Sequence, residues 1–222
     1  MPSEIAALLD PTAVAVRAIA MTQTEFGVVT EGLNTSSRVV VIGAGAIGTT
    51  MALLLKIMGV EKVILTNISQ AKLQLATSIA DADEAIALDG YSSSDRVKMI
   101  RELTGGGADL VFQCANTTAA SVEGLQMVRK LGTFVEIGVP FGFGGKTSIN
   151  FPKVVFSRGA RIMSLVANDP RSFDRAFQLL KRHRQYPFAK LLTHRFNTLD
   201  RLLDTMSEMS HHNYMKGVYV AV

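Results

Sequence analysis

Gly43, Gly45 and Gly48 stand at Gly-x-Gly-x-x-Gly spacing directly behind four apolar, mostly β-branched residues, Val39-Val40-Val41-Ile42. That spacing suits the pyrophosphate of a dinucleotide. Gly43 allows the tight turn out of a strand, Gly45 removes the side chain where phosphate oxygens approach the backbone, and Gly48 lets the next helix pack closely on the sheet. Ala46 and Ile47 would open that helix, whose free N–H groups and positive dipole end face the phosphates. Glycine is common in turns, so the spacing alone is weak. The strand before it and the helical pattern after it (Met51, Leu54, Leu55, Met58) supply the context the motif needs. Roughly twenty residues on, Asn67 ends the next apolar run, where a ribose would be met.

Other chemical candidates weigh less. Cys114 has no context that lowers a thiol pKa, and reads as a small buried hydrophobe. Tyr186 to Lys190 spells Tyr-x-x-x-Lys, but Pro187 breaks the helix such a pair needs. His211 and His212 are adjacent and their rings diverge. His194, on a strand, reads as structural. Asp10 before Pro11 reads as a helix cap followed by proline at the first helical position.

The elements that must position the glycine loop follow a simple rhythm. Strands are expected at 38–42, 62–66, 85–88, 110–112, 133–137 and 161–166, with helices between them, including one opened by Ser69 and one from Thr118 to about Arg129. Alternating strand and helix imply right-handed crossovers and a Rossmann α/β fold, a doubly wound parallel sheet. Residues 1–35 read as a linking segment with a helix from Ile5 to Met21, residues 36–184 as the Rossmann core, and residues 185–222 as a C-terminal return segment with a strand, a helix and a last strand.

The 222 residues suffice for one well-buried domain. The net charge of +4 comes from scattered bases. Their one cluster, Lys181 to Arg184, suits a solvated helix end better than nucleic acid. The single cysteine rules out an internal disulfide and fits a reducing compartment. No apolar run approaches the roughly 18 residues of a membrane span, and Met1-Pro2-Ser3-Glu4 lacks the start of a signal peptide. The expectation is a cytoplasmic protein with neither membrane nor nucleic acid as partner.

Five ordered stretches resemble the coenzyme-binding half of a zinc-type medium-chain dehydrogenase/reductase of the alcohol and polyol dehydrogenase kind. They are Leu9 to Val16, Val39 to Gly48, Leu103 to Val111, Gly132 to Pro140 and Leu192 to Phe196. The resemblance implies an NAD(P)-binding domain that positions nicotinamide for hydride transfer to or from an alcohol or carbonyl substrate. It implies that Gly43, Gly45, Ala46, Ile47 and Gly48 hold the pyrophosphate, Asn67 and Lys72 the ribose, and Cys114, Ala115 and Asn116 the next part of the cofactor. Gly138, Val139 and Pro140 match the segment that holds the nicotinamide carboxamide, and Lys216 a base that reaches back to the pyrophosphate. NAD-using members carry Asp where Asn67 stands. Many NADP-using members follow it with Arg, which is missing here, so NAD is favoured over NADP.

The family's catalytic domain, with its zinc ligands, has no counterpart in these residues. The expectation is a dissected piece, a truncated gene product or one half of a split enzyme, inactive by itself, with zinc present only if a catalytic domain joins it. Asp10 stands where the resemblance puts a third zinc ligand, and one carboxylate cannot hold the ion. The resemblance also implies a homodimer through the edge strand Arg161 to Val166, and an apolar face along Leu8 to Ile19 left bare. Two further readings stay open: a non-catalytic dinucleotide-sensing module, and a methyltransferase, which would want an acid where Asn67 stands.

Overall fold

A computed structural model describes residues 2–23, 32–138, 147–198, 200–208 and 213–220. A 3-10 turn over Ser3–Leu8 runs into α1 (Leu9–Thr22). Then strand and helix alternate: β1 (Arg38–Ile42), α2 (Ala46–Ile57), β2 (Lys62–Asn67), α3 (Gln70–Ala80), β3 (Glu84–Ala87), α4 (Ser93–Leu103), β4 (Ala108–Gln113), α5 (Thr118–Met127) and β5 (Val128–Glu136). The one-turn α6 (Phe151–Val154), β6 (Arg161–Ser164) and α7 (Pro170–Arg182) follow.

These six strands form one parallel sheet in the order β3-β2-β1-β4-β5-β6. The order reverses between β1 and β4, and a crevice opens there at the carboxyl ends of the strands. Both faces are covered, which is why β1 reads as an unbroken apolar run. Val39 and Val41 pack with α1 and α2, while Val40 and Ile42 pack with α4 and α5 on the other face. The return segment does not join this sheet. β7 (Leu192–Phe196) pairs in parallel with β8 (Lys216–Tyr219) as a separate two-stranded sheet, with α8 (Asp200–Glu208) between them.

Four expectations need correction. Asp10 is not a helix cap: the 3-10 turn carries the chain into α1 before it, and the capping position is Leu8. Proline at 11 is tolerated there because first-turn N–H groups have no intrahelical partner. The face from Leu8 to Ile19 is not bare, because Leu8, Ala13, Ala15, Ala18 and Ile19 are buried as α1 packs on α2 and α7. Ser3–Thr22 is also, by length and a mean hydropathy of 1.5, long and apolar enough to cross a membrane. That buried face accounts for its apolar composition, and Arg17 on the same helix bonds the carbonyls of Val166 and Ala167.

The fourth concerns the junction of α5 and β5. Helix α5 stops at Met127, and Val128 is already extended and paired with Ala108. Arg101 and Arg158 each donate to the carbonyls of Gln126 and Val128, and Arg129 binds Asp109. Long-range bonds therefore draw Val128 and Arg129 out of the helix that their neighbours favour.

Asp109 anchors three segments. Its carboxylate accepts the Arg38 backbone N–H at 2.7 Å and the Arg38 Nε at 3.1 Å, and it pairs with Arg129. Burial by itself raises this carboxyl's pKa, but the bonds from Arg38 and Arg129 outweigh it and hold the group below its ordinary 3.8. A lowered folded pKa contributes stability that is full above 3.8 and is lost as pH falls through the folded value. Asp109→Ala is expected to destabilise the fold by about 2 kcal/mol at neutral pH, because the N–H of Arg38 loses its charged acceptor. Urea unfolding should show that gap closing at strongly acid pH, and a gap unchanged by acid would refute the account.

Candidate functional site

The glycine loop leaves β1 at the sheet's reversal point. Gly43 has φ +102° and donates its N–H to Thr66 O at 2.8 Å. A side chain on Gly43 would come 2.9 Å from Ala115 N, so this glycine also makes room for the segment after β4. Gly45 has open space where a Cβ would be. A Cβ on Gly48 would lie 1.8 Å from Gly43 O, so its tight contact is with the loop's own carbonyl first and with Val41 on the sheet second, at 3.4 Å. Ala46, Ile47 and Gly48 form the first turn of α2, and no side chain caps that end. An anion over Gly45 would meet those uncapped N–H groups.

Gly43 and Gly45 line a cleft of about 550 Å³ together with Asn67, Lys72, Cys114, Ala115 and Asn116. Three segments that are distant in sequence thus converge on one crevice. Ser69 caps α3 by accepting the Lys72 N–H at 3.3 Å, which sets Lys72 in the first turn beside Asn67. Asn67 Oδ1 accepts the Ser69 N–H at 3.4 Å. Gly138 lies at the end of β5, its N–H bonded to Gln113 O at 2.8 Å, against the back of the Ala115 peptide. Val139 and Pro140 fall outside the described residues, as do His211 and His212. Lys216 starts β8 and is not among the residues lining the cleft; its neighbour Met215 packs on Thr49 of α2.

Cys114 is half-buried at the cleft wall. Burial first, and the charge of Glu136 second, push its thiol pKa far up, which fits a packing role over a nucleophilic one. His194 stacks on Tyr214 with ring centroids 5.0 Å apart and bonds Thr193. Phe188–Leu191 is a 3-10 turn, so Tyr186 and Lys190 do not share a continuous α-helix.

The cleft holds residues that pattern reading missed. Arg96 of α4 bonds Glu123 of α5 at 3.3 Å, with Glu123 almost fully enclosed. Ile68, 63% exposed, offers an apolar surface beside Asn67, suited to a flat base. Ile68 carried a legible signal, an apolar residue between the end of a strand and the Ser69 cap. Arg96 and Glu123 carried none, since only the packing of two helices joins them.

Zinc does not fit the described residues. Among them no three His, Cys, Asp or Glu side chains gather as a metal site. Asp10, in the first turn of α1, accepts a bond from Asn168 Nδ2 at 2.9 Å.

A family model described as "Zinc-binding dehydrogenase" matches residues 46–182. An erythritol/L-threitol dehydrogenase of Mycolicibacterium smegmatis is 32% identical over 152 residues, covering 68% of this chain and 38% of that protein. Benzyl alcohol dehydrogenase from Acinetobacter calcoaceticus superposes over 100% of this chain and 58% of its own, with a TM-score of 0.83 at 21% identity. An alcohol dehydrogenase from E. coli CFT073, solved with NADH, superposes over 96% of this chain and 58% of its own, with a TM-score of 0.76 at 20% identity. At such identities the two structures speak for the fold. The chain spans about half the length of the relatives it matches. The chain belongs to the zinc-binding dehydrogenase family, of which it spans the Rossmann, coenzyme-binding part.

Proposed function

We propose that this chain binds NAD(H) and presents the nicotinamide to an alcohol or carbonyl substrate held by a second domain. The observation that carries this reading is the open space over Gly45 in front of the uncapped first turn of α2, at the point where the sheet order reverses. Those N–H groups take the pyrophosphate. Asn67 and Lys72 meet one ribose, Ile68 lies under the base, and Cys114 to Asn116 together with Gly138 form the wall of the other nucleoside half. The nicotinamide supplies the hydride chemistry when bound, and this chain orients it. Its role is positional.

The lean toward NAD rests on charge. Ile68 and not an arginine follows Asn67, and among the described residues lining the cleft the one arginine, Arg96, is tied to Glu123 and so is not free for a 2′-phosphate. Titration with NADH, NADPH and S-adenosylmethionine should show NADH binding most tightly, and NAD+ or NADP+ mixed with simple alcohols should not be reduced by this chain alone. Binding of S-adenosylmethionine only would sink the reading. Strand β6 is an edge of the sheet with Ile162 and Val166 exposed, which supports pairing of two copies along it. A monomer at micromolar concentration in light scattering would count against that pairing.

A further inference from the structure

Behind the cleft wall lies a polar cluster that contacts neither the cleft nor solvent through Gln113. This residue ends β4 and is 0% exposed. Its amide is fully engaged. Nε2 lies 2.7 Å from Ala115 O, 3.0 Å from Glu136 Oε1 and 3.2 Å from Ser121 Oγ, and Oε1 accepts the Ala115 N–H. Glu136 Oε1 in turn accepts the Gly138 N–H at 3.1 Å. The main chain repeats the same link, with Ile137 N–H and Gly138 N–H both donating to Gln113 O at 2.9 and 2.8 Å.

The backbone these groups grip is crowded. A Cβ on Gly138 would fall 1.9 Å from Ala115 O, and one on Gly43 would fall 2.9 Å from Ala115 N. The Ala115 peptide is therefore wedged between the phosphate loop and the end of β5. The phosphate loop has its own anchor, Gly43 N–H on Thr66 O at 2.8 Å, so the position of Ala115 bears chiefly on the end of β5, and side-chain bonds from Gln113 to both of its polar atoms set that position. Neither Gln113 nor Glu136 lines the cleft. The Gln113 NH2 has two hydrogens for these three oxygens, and a buried glutamine is costly unless its hydrogens and its oxygen are all bonded, which these neighbours provide.

We propose that Gln113 and Glu136 are positioning residues for the nicotinamide half of the cofactor, acting through the backbone of Ala115 and Gly138 without touching the ligand. This rests on the dinucleotide reading above. The pyrophosphate sits over Gly45, and the Asn67 side takes one nucleoside. The wall built by β4 and β5 then takes the other. Glu136 acts as a hydrogen-bond acceptor here, its Oε1 taking the Gly138 N–H at 3.1 Å and Gln113 Nε2 at 3.0 Å.

The test compares NADH with ADP-ribose, which lacks only the nicotinamide. Both are titrated calorimetrically into the wild type and into Gln113→Leu, Glu136→Leu and Glu136→Gln, with thermal unfolding alongside. The two leucine variants should lose about tenfold in NADH affinity, the loss expected for about 1.4 kcal/mol of misplaced contact, and keep ADP-ribose affinity within about twofold. Glu136→Gln retains an acceptor oxygen and should keep both. Parallel loss of both ligands, with or without a fall in unfolding temperature, overturns the inference, because that is general damage. Failure of Glu136→Gln to match wild type overturns it too, since a charge and not an acceptor is then required. Equal wild-type affinities for the two ligands do the same. Wild type that binds neither ligand refutes the dinucleotide reading itself, and this inference with it.

Discussion

Gly48→Ala is expected to abolish measurable NADH binding, a loss of at least about 100-fold, and to lower the unfolding temperature as well. The added Cβ would sit 1.8 Å from Gly43 O, and that oxygen belongs to backbone held from two sides. Gly43 N–H is bonded to Thr66 O, and Gly43 itself abuts Ala115 N. The clash can be relieved only by moving the loop or the first turn of α2. Either movement turns the N–H groups away from where a pyrophosphate sits, and forced repacking of this kind costs about 1–3 kcal/mol. Gly45→Ala separates the two effects. It meets nothing within 4 Å in the free protein, so the fold should keep its stability, while the methyl occupies the approach of the phosphate and weakens binding. Titration and thermal unfolding of both variants check this. NADH affinity of Gly48→Ala within threefold of wild type, measured at about the same stability, would refute the assignment of the loop.

Asn67→Asp is the second variant with a large expected effect. It should weaken NADPH by about 30-fold, or about 2 kcal/mol, and leave NADH equal or tighter. Two unit charges about 4 Å apart repel by about 4 kcal/mol at an effective dielectric of about 20, and screening by solvent and salt roughly halves that at an open cleft. The carboxylate would also accept from ribose hydroxyls that the neutral amide meets with one acceptor and one kind of donor. Lys72, in the first turn of α3 beside it, favours an anion there and should blunt the discrimination, so Asn67→Asp with Lys72→Ala should separate the two cofactors further. The ratio of NADPH to NADH dissociation constants is the readout. A ratio that does not move would show that the 2′ position lies away from Asn67.

The parts of the site that sequence made legible share one property, in that the residue type itself states the need. Glycine at 43, 45 and 48 means no side chain is tolerated, and the structure puts a carbonyl, a peptide N–H or open space where each Cβ would be. Ser69 as a cap is equally local. Asp10 misled because cap and interior carboxylate look alike in sequence, and only the 3-10 turn before α1 shifted the helix start. The apolar stretch from Leu8 to Ile19 misled in the other direction. Its hydrophobicity was plain, but α7, about 150 residues away, provides the cover.

Sequence alone determined the strand–helix alternation and the parallel sheet, because periodicity of burial is written in apolar spacing and strand crossovers have one hand. It also determined the glycine turn after β1, because the positive φ of Gly43 and the close packing at Gly48 leave glycine as the one solution. Only the tertiary structure decided what surrounds that loop. The Arg96–Glu123 pair, the return sheet behind α2 and the Gln113–Glu136 cluster join segments by long-range packing and hydrogen bonds, which leave no periodic mark on any of the segments they join.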